Sequence, residues 1–331
     1  LVKCLGSAYL SAASDRRAQL PGVVRVRTLL QETLPRLSPT PIAGLREDDI
    51  WEIRDYFSTR YVDEPLLRVL SAAGFWEFLA EHAGALAPVD RNRLLGLVWG
   101  ELPELTLIFA ELSDALGRLG YGREAACALD AILGLDQRTG KLQRRADSIL
   151  SGQTIVSLSE AVDETVVVRT ELGQWVSLSR PVLAALVTEV RLPVKGYASE
   201  LLEKADLVEM PSIEQREPVS DLRQALRADA SLAGQLLLKA KSVLLHERYV
   251  ADNEITAMVV CIDPTSRKLG ELPRLVADWV ERTHGAADEA SLAIARIGRQ
   301  DRADAFEEGR PCDAQAHVLR IVAIDAGLGQ L

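Results

Sequence analysis

Clustered cysteines, long apolar runs and an excess of positive charge are all missing from this sequence of 331 residues. The four cysteines, Cys4, Cys127, Cys261 and Cys312, lie far apart and form no CxxC pair, which argues against a structural zinc site or a dense disulfide framework. We therefore expect a reduced chain in the cytoplasm. Apolar stretches such as Met258 to Ile262 are far shorter than the ~20 residues that span a bilayer, so no transmembrane helix is predicted.

Positive charge is scarce relative to negative charge. Lys plus Arg total 38 and Asp plus Glu total 48, which gives a formal net charge of −10. Contact with a phosphate backbone needs concentrated positive charge, so nucleic acid and anionic membranes are disfavoured as the main partner. Hydrophobic residues at 48% and charged residues at 26% exclude disorder of the whole chain and favour a globular protein with a sizeable core.

Several catalytic motifs are absent as well. The four histidines, His82, His246, His284 and His317, show no HxxxH or HExxH spacing, so a metal site would have to assemble through the fold. No Gly-x-Ser-x-Gly elbow occurs, which disfavours a classical hydrolase. A Walker A motif needs Gly-x-x-x-x-Gly-Lys-Ser/Thr, and the nearest candidate, Gly134 to Leu142, has one residue too many before its second Gly and ends in Leu.

Helical periodicity dominates the first part of the chain. Apolar residues recur at helical spacing in segments such as Ile50 to Phe57 and Leu105 to Leu112, and breaks rich in Pro and Gly separate these segments. The pattern predicts an all-helical domain over residues 1–147. Aromatic side chains on helical faces usually pack a core, so we expect the Trp and Phe residues of this domain to be buried.

Strand and helix patterns alternate from residue 148 onward. Thr165 to Arg169 and Trp175 to Leu178 are β-branched-rich runs around a short turn, and they predict a hairpin. Apolar patterns predict further strands at 206–210, 255–262, 291–297 and 317–324, and helices from about residue 181, over 219–249 and over 272–283. We therefore predict an α/β fold over residues 148–331, with a mostly parallel sheet flanked by helices.

Three of the predicted strands end in residues suited to phosphate chemistry. Ligands of parallel sheets bind beyond the carboxyl ends of the strands. An acidic residue there can hold Mg²⁺, a tight turn can bring a backbone N–H to a phosphate, and a later Asp can accept hydrogen bonds from a purine. We expect four such residues to share one sheet edge: Glu209, Ser212, Asp263 and Asp301. Solvated loops often carry the same residue types.

The order and spacing of these segments resemble those of a known family. Ala205 to Glu217 is similar to the Asp-Leu-Leu-Asp-Phe-Pro-Gly-Ala-Arg-Ser-Arg region of the SrfC-like bacterial virulence factors. Lys239 to Tyr249 resembles its Arg-Gly-Lys-Val stretch ending in Glu-Arg-Tyr, and Asn253 to Ile262 looks like the strand that follows. Trp279 to Gly285 continues the resemblance, which extends over most of the chain.

This resemblance implies a P-loop NTPase-like, distantly GTPase-like domain with a large helical insertion after the phosphate-binding loop. It places Glu209 at the Asp of the family's Asp-Phe-Pro-Gly turn, as the residue that touches Mg²⁺, and Ser212 at the Gly of that turn. Arg299 and Asp301 stand at the Lys and Asp of a Thr-Lys-x-Asp motif that would read the base. The implied ligands of the full-length relative are Mg²⁺ and GTP, and none is expected in this chain alone.

The phosphate-binding loop itself is expected upstream of Leu1. Since the first residue is not Met, we interpret the chain as a fragment whose α/β domain is incomplete on its N-terminal side. Two functions stay open. The chain is either part of a virulence-associated GTPase-like protein, inactive on its own, or a non-catalytic helical interaction module with a vestigial nucleotide site. A protein partner is expected for the chain, with nucleotide as a further ligand.

Overall fold

The computed structural model of the chain describes ten segments: residues 1–12, 20–159, 164–191, 208–211, 219, 221–255, 258–262, 272–283, 292–296 and 322–325. The chain divides into two compact units. The first unit comprises residues 1–187 and 217–240, and the second comprises residues 188–216 and 241–331. The domain boundary predicted between residues 147 and 148 stays a prediction.

Helices account for most of the described residues before position 125. They are α1 (Val2–Ala12), α2 (Val23–Thr33), α3 (Glu47–Arg60), α4 (Pro65–Ala72), α5 (Phe75–His82), α6 (Pro88–Leu95) and α7 (Pro103–Arg118). Proline opens α4, α6 and α7. The first helical residue has no intrahelical use for its N–H, so proline fits there and fixes where each helix begins.

The core of this helical part is aromatic. Phe57, Phe75, Trp76 and Trp99 are each at most 2% exposed. Phe75 and Trp76 pack edge to face with their ring centroids 4.9 Å apart. Trp99 Nε1 donates a hydrogen bond of 3.0 Å to Thr106 Oγ1, which satisfies the one polar atom of that buried indole. The prediction that the aromatic residues pack a core is confirmed for these four, whereas Trp51 and Phe78 are only half-buried.

Strands appear from residue 125, within the range predicted to be all helical. β1 (Ala125–Cys127) pairs antiparallel with β4 (Thr165–Thr170), and β4 pairs antiparallel with β5 (Trp175–Ser179). A separate antiparallel hairpin joins β2 (Leu133–Leu135) to β3 (Leu142–Arg144). The all-helical prediction is wrong for β1, β2 and β3, because a strand of three residues is too short to show alternation. The predicted β4–β5 hairpin is confirmed.

The remaining α-helices of the described segments come after β3. They are α8 (Gly152–Val156), α9 (Arg180–Leu186), α10 (Leu222–Ala228), α11 (Leu232–Ala251) and α12 (Leu272–Thr283). The helix predicted over 219–249 is thus two helices, because Asp229 turns the chain: its Oδ1 accepts hydrogen bonds from the backbone N–H and the hydroxyl of Ser231, at 2.9 and 2.7 Å. The helix predicted over 272–283 is confirmed.

Parallel pairing occurs only in short pieces of the described chain. β6 (Val208–Pro211) pairs with β9 (Val322–Asp325), and β7 (Met258–Ile262) pairs with β8 (Leu292–Arg296). The predicted α/β fold with a mostly parallel P-loop NTPase-like sheet flanked by helices is therefore wrong. The described residues are mostly helical, and their largest sheet is the antiparallel β1-β4-β5. Short apolar runs locate strands, but they do not determine which strands become neighbours.

Among the described residues, no helix is both long and apolar enough to cross a bilayer.

Candidate functional site

The β4–β5 hairpin separates buried from exposed side chains along its length. In β4, Val166, Val168 and Thr170 are buried, whereas Thr165, Val167 and Arg169 are exposed. Successive side chains of a strand point to opposite faces, so this alternation gives the hairpin one packed face and one outward face.

The outward face carries a large exposed aromatic side chain. Trp175 is 69% exposed and lies directly opposite Arg169 across the hairpin, and Val167, 50% exposed, lies opposite Ser177. Ala126 of β1 is exposed and lies opposite Arg169 on the other side of β4. We call the surface formed by Ala126, Val167, Arg169, Trp175 and Ser177 the sheet face. Single exposed apolar residues are ordinary, but an exposed Trp grouped with Val and Arg is typical of a binding surface.

Four charged residues meet at the open end of the same hairpin, and we call them the salt-bridge quartet: Arg145, Asp147, Glu164 and Arg180. Arg145 donates to both carboxylate oxygens of Asp147, at 2.8 and 3.0 Å, and to Glu164 Oε2 at 3.1 Å. Arg180 Nε lies 3.2 Å from an oxygen of Asp147 and 3.2 Å from Glu164 Oε2. Both guanidinium groups are therefore neutralised by the same two carboxylates.

Arg180 is the most deeply buried member of the quartet. It is 6% exposed, and its Nη1 donates hydrogen bonds of 3.3 Å to the backbone carbonyls of Asp130 and Ala131. Glu164 directly precedes β4, and Arg180 directly follows β5. The quartet thus ties both open ends of the hairpin to the short 3₁₀ helix Leu129–Ala131 and to the turn at residues 145–147.

The quartet lowers the pKa of Asp147 to about 2, from an ordinary value of 3.8. Hydrogen bonding from Arg145 is the largest cause, with smaller lowering from Glu164 and from the charge of Arg180, and burial opposes the shift. The pKa of Arg145 is raised, chiefly by its hydrogen bond to Asp147. Asp147 therefore stays ionised at neutral pH, which suits ion pairing and not proton transfer.

A cleft of about 290 Å³ lies beside the quartet, lined by Asp147, Glu164, Arg180 and neighbouring residues that include Thr154 and Ser157. The two hydroxyls are already used locally: Thr154 Oγ1 donates to Ser148 O at 2.8 Å, and Ser157 Oγ donates to Thr154 O at 2.9 Å. The lining therefore shows no hydroxyl paired with a general base. Across the described segments, no group of three or more His, Cys, Asp or Glu has the geometry of a metal site.

The residues predicted to bind Mg²⁺ and nucleotide fall mostly outside the described segments. Glu209 lies in β6, with its backbone opposite Ala323 of β9. Ser212, Asp263, Arg299 and Asp301 lie outside the described residues, so their predicted roles and their predicted gathering at one sheet edge stay predictions.

The nearest Walker A candidate, Gly134 to Leu142, spans the β2–β3 hairpin. Asp136 Oδ1 accepts a hydrogen bond of 2.8 Å from the N–H of Arg138, and Gly140 takes a positive φ of 67°. A phosphate-binding loop joins a strand to a helix, whereas this segment joins two strands. The prediction that it is not a Walker A loop is therefore confirmed.

Sequence reasoning missed both the quartet and the sheet face. The quartet depends on tertiary placement, since its members are spread from Arg145 to Arg180, and the only local signal is the Arg-x-Asp spacing of Arg145 and Asp147. The sheet face had a signal in the alternation of β4, which marks Val167 and Arg169 as sharing one side. Which side faces solvent depends on what packs against the hairpin.

Comparison with known proteins agrees with part of the family resemblance. A family model whose description reads "Putative bacterial virulence factor" matches residues 1–294, a range that includes the whole sheet face and the quartet. No curated protein and no solved structure matches the chain. The virulence-factor part of the resemblance is confirmed, because the matched range covers far more than half of the sequence. The chain belongs to this family of bacterial virulence factors.

Proposed function

We propose that this chain acts as a non-catalytic protein-binding module of a bacterial virulence factor, with the sheet face as its contact surface. The observation that carries the proposal is the exposure of Trp175, 69% exposed beside Val167 and opposite Arg169. Tryptophan and arginine are the residue types that most often supply the binding energy of protein interfaces. The salt bridges of the described residues give Arg169 no carboxylate partner, so its charge is open to an acidic group of a partner.

The salt-bridge quartet supports this function by holding the hairpin in place. A contact surface that is already ordered loses little conformational entropy on binding. Arg180 binds two backbone carbonyls and two carboxylates from its buried position, and it follows β5 directly. In this proposal the quartet is the support and the sheet face is the part that binds.

Affinity capture with surface variants tests the proposal. The chain is immobilised, incubated with lysate of its source bacterium, and compared with the Trp175→Ser and Val167→Ser variants by quantitative mass spectrometry. Leu107→Ser is the matched control, because Leu107 is 70% exposed on α7 and outside the sheet face. We expect the captured amount of at least one protein to fall about tenfold with both sheet-face variants and to stay unchanged with the control. Equal capture by all four proteins would contradict the sheet face as the contact surface.

Nucleotide binding is the second candidate, and the resemblance of Ala205 to Glu217 to the SrfC-like virulence factors favours it. Under this proposal Glu209 lies toward Mg²⁺, and Ser212, Arg299 and Asp301 lie toward GTP. This chain alone would hold nucleotide only weakly, since one charged hydrogen bond of about 1.5–3 kcal/mol does not offset the entropy of association.

Titration calorimetry with GTP, GDP and ATP tests the second candidate. We expect no binding tighter than about millimolar. Micromolar binding that Asp301→Ala abolishes would instead reveal a complete nucleotide pocket within the chain.

A further inference from the structure

His246 is a buried titratable residue that the sheet face and the quartet do not use. It lies on the part of α11 that belongs to the second unit, and it is 1% exposed. Neither ring nitrogen has a hydrogen-bond partner among the described residues. Buried polar atoms are usually partnered, so an imidazole with two unpartnered nitrogens calls for a physical explanation.

Charged residues of α11 and α12 lie around His246. Arg274 of α12 comes within 3.7 Å of Glu247, the residue that follows His246 on α11. Asp278 of α12 is held at 2.9 Å by Arg282 on its own helix. Asp278 favours a charged imidazole, whereas Arg274 disfavours it. α12 therefore places two charges near His246. The carboxylate of Asp278 would attract a protonated ring but is already paired with Arg282, and the guanidinium of Arg274 would repel it.

Trp279, the residue after Asp278, anchors α12 within the second unit. Trp279 is fully buried, and its Nε1 donates a hydrogen bond of 2.9 Å to the backbone carbonyl of Ile255. His246 and Trp279 are thus both buried in the second unit, where a new charge cannot be hydrated without some opening of the structure.

We propose that His246 is an acid-sensitive switch in the second unit: its neutral ring lets α11 pack beside α12, and protonation of the ring loosens that packing. A protonated ring carries two N–H donors, and among the described residues no acceptor is in place for either of them. Burial is the main reason that the pKa of His246 lies at about 4 instead of 6.5.

The direction of the pH effect follows from this lowered pKa. An unfolded or opened segment takes up the proton near pH 6.5, and the packed segment takes it up only near pH 4. The stability of the packed state is therefore complete above pH 6.5 and declines as the pH falls from 6.5 to 4, with no further loss from this group below pH 4. One proton changes the opening equilibrium by at most tenfold per pH unit.

Hydrogen exchange of the full chain, read by mass spectrometry in peptides from α11 and α12, measures this opening. After correction for the intrinsic pH dependence of exchange, we expect the opening equilibrium constant of these peptides to rise about tenfold between pH 6.5 and pH 5. In His246→Gln, which does not titrate, the rise should disappear. His82→Gln is the control, since His82 lies on α5 in the first unit and should leave the rise unchanged.

Imidazole NMR of the wild-type chain decides the matter even if His246→Gln fails to fold. The proposal requires the His246 resonance to titrate near pH 4, or to remain neutral until the second unit opens. A tenfold rise that persists in His246→Gln, or a ring that titrates at pH 6.5 or above in the packed state, would overturn it.

Discussion

Arg180 is the residue on which the order of the β4–β5 hairpin depends most. It is buried, while the two carboxylates that it pairs with remain partly exposed. Replacing Arg180 with Met keeps the length and the apolar stem of the side chain, but it removes the cation and leaves the carbonyls of Asp130 and Ala131 without this donor. We expect Arg180→Met to lower the free energy of unfolding by about 2 kcal/mol.

Arg169→Met is the matched control for that substitution. Arg169 belongs to the same hairpin but lies on its exposed face, so its replacement should change stability by less than about 0.5 kcal/mol. Urea unfolding followed by circular dichroism measures both variants. Equal midpoints for Arg180→Met and the wild type would show that the quartet does not hold the hairpin.

The ionisation of Asp147 makes the contribution of the quartet to the free energy of unfolding depend on pH. Its pKa is depressed to about 2 in the folded chain and lies near 3.8 when the chain is unfolded, so its contribution is present above pH 3.8 and is lost as the pH falls toward 2. Because the side chain is 43% exposed, solvent screening reduces this contribution to about 1 kcal/mol. Urea unfolding at pH 5, 4 and 3 should show a smaller loss for Arg145→Met than for the wild type. A loss of the same size in both would contradict the assigned cause.

Close packing of α11 on α8 depends on Gly234. A Cβ added at this position would lie 2.5 Å from the carbonyl oxygen of Val156 and 2.8 Å from that of Ile155, and both contacts are with backbone. Backbone cannot move aside as a flexible side chain can, so Gly234→Ala forces the two helices apart. We expect it to cost about 1–3 kcal/mol.

Gly84→Ala is the control for helix packing, because a Cβ at Gly84 would meet nothing within 4 Å. It should leave stability unchanged or raise it slightly. Thermal unfolding of the two variants compares them directly. A Gly234→Ala protein as stable as the Gly84→Ala protein would disprove the close approach of α8 and α11.

The elements differ in how far the sequence predicts them. The β4–β5 hairpin is predictable because two β-branched-rich runs, Thr165 to Arg169 and Trp175 to Leu178, flank a short turn in which Gly173 takes a positive φ of 78°. β1 is not predictable, since Ala125–Cys127 is only three residues long and its partner strand begins at Thr165. The error over the parallel sheet has the same origin: strand pairing is non-local, and local pattern carries no information about it.

The candidate site divides in the same way. Trp175 could be placed on a strand from sequence, but its exposure depends on the tertiary packing of the hairpin. The quartet was beyond prediction, because Arg145 and Arg180 meet only after β4 and β5 have folded back on each other. Charged pairs far apart in sequence leave no periodic signal.

At the scale of the whole molecule, the sheet face differs from the average surface. The chain carries a net charge of −10, yet this face presents Arg169 together with Trp175 and Val167. Local positive charge on an otherwise acidic protein favours an acidic partner segment. Specific binding at this one face is the central claim of the protein-binding proposal.

Site-specific photocrosslinking in the source bacterium tests that claim most directly. A photoreactive phenylalanine derivative replaces Trp175, Val167 or, as the control, Leu107, and the cells are irradiated before the adducts are separated by mass. We predict the same discrete adduct from positions 175 and 167 and none from position 107. Absence of an adduct at both sheet-face positions, or equal adducts at all three, would contradict the sheet face as the contact surface of this protein.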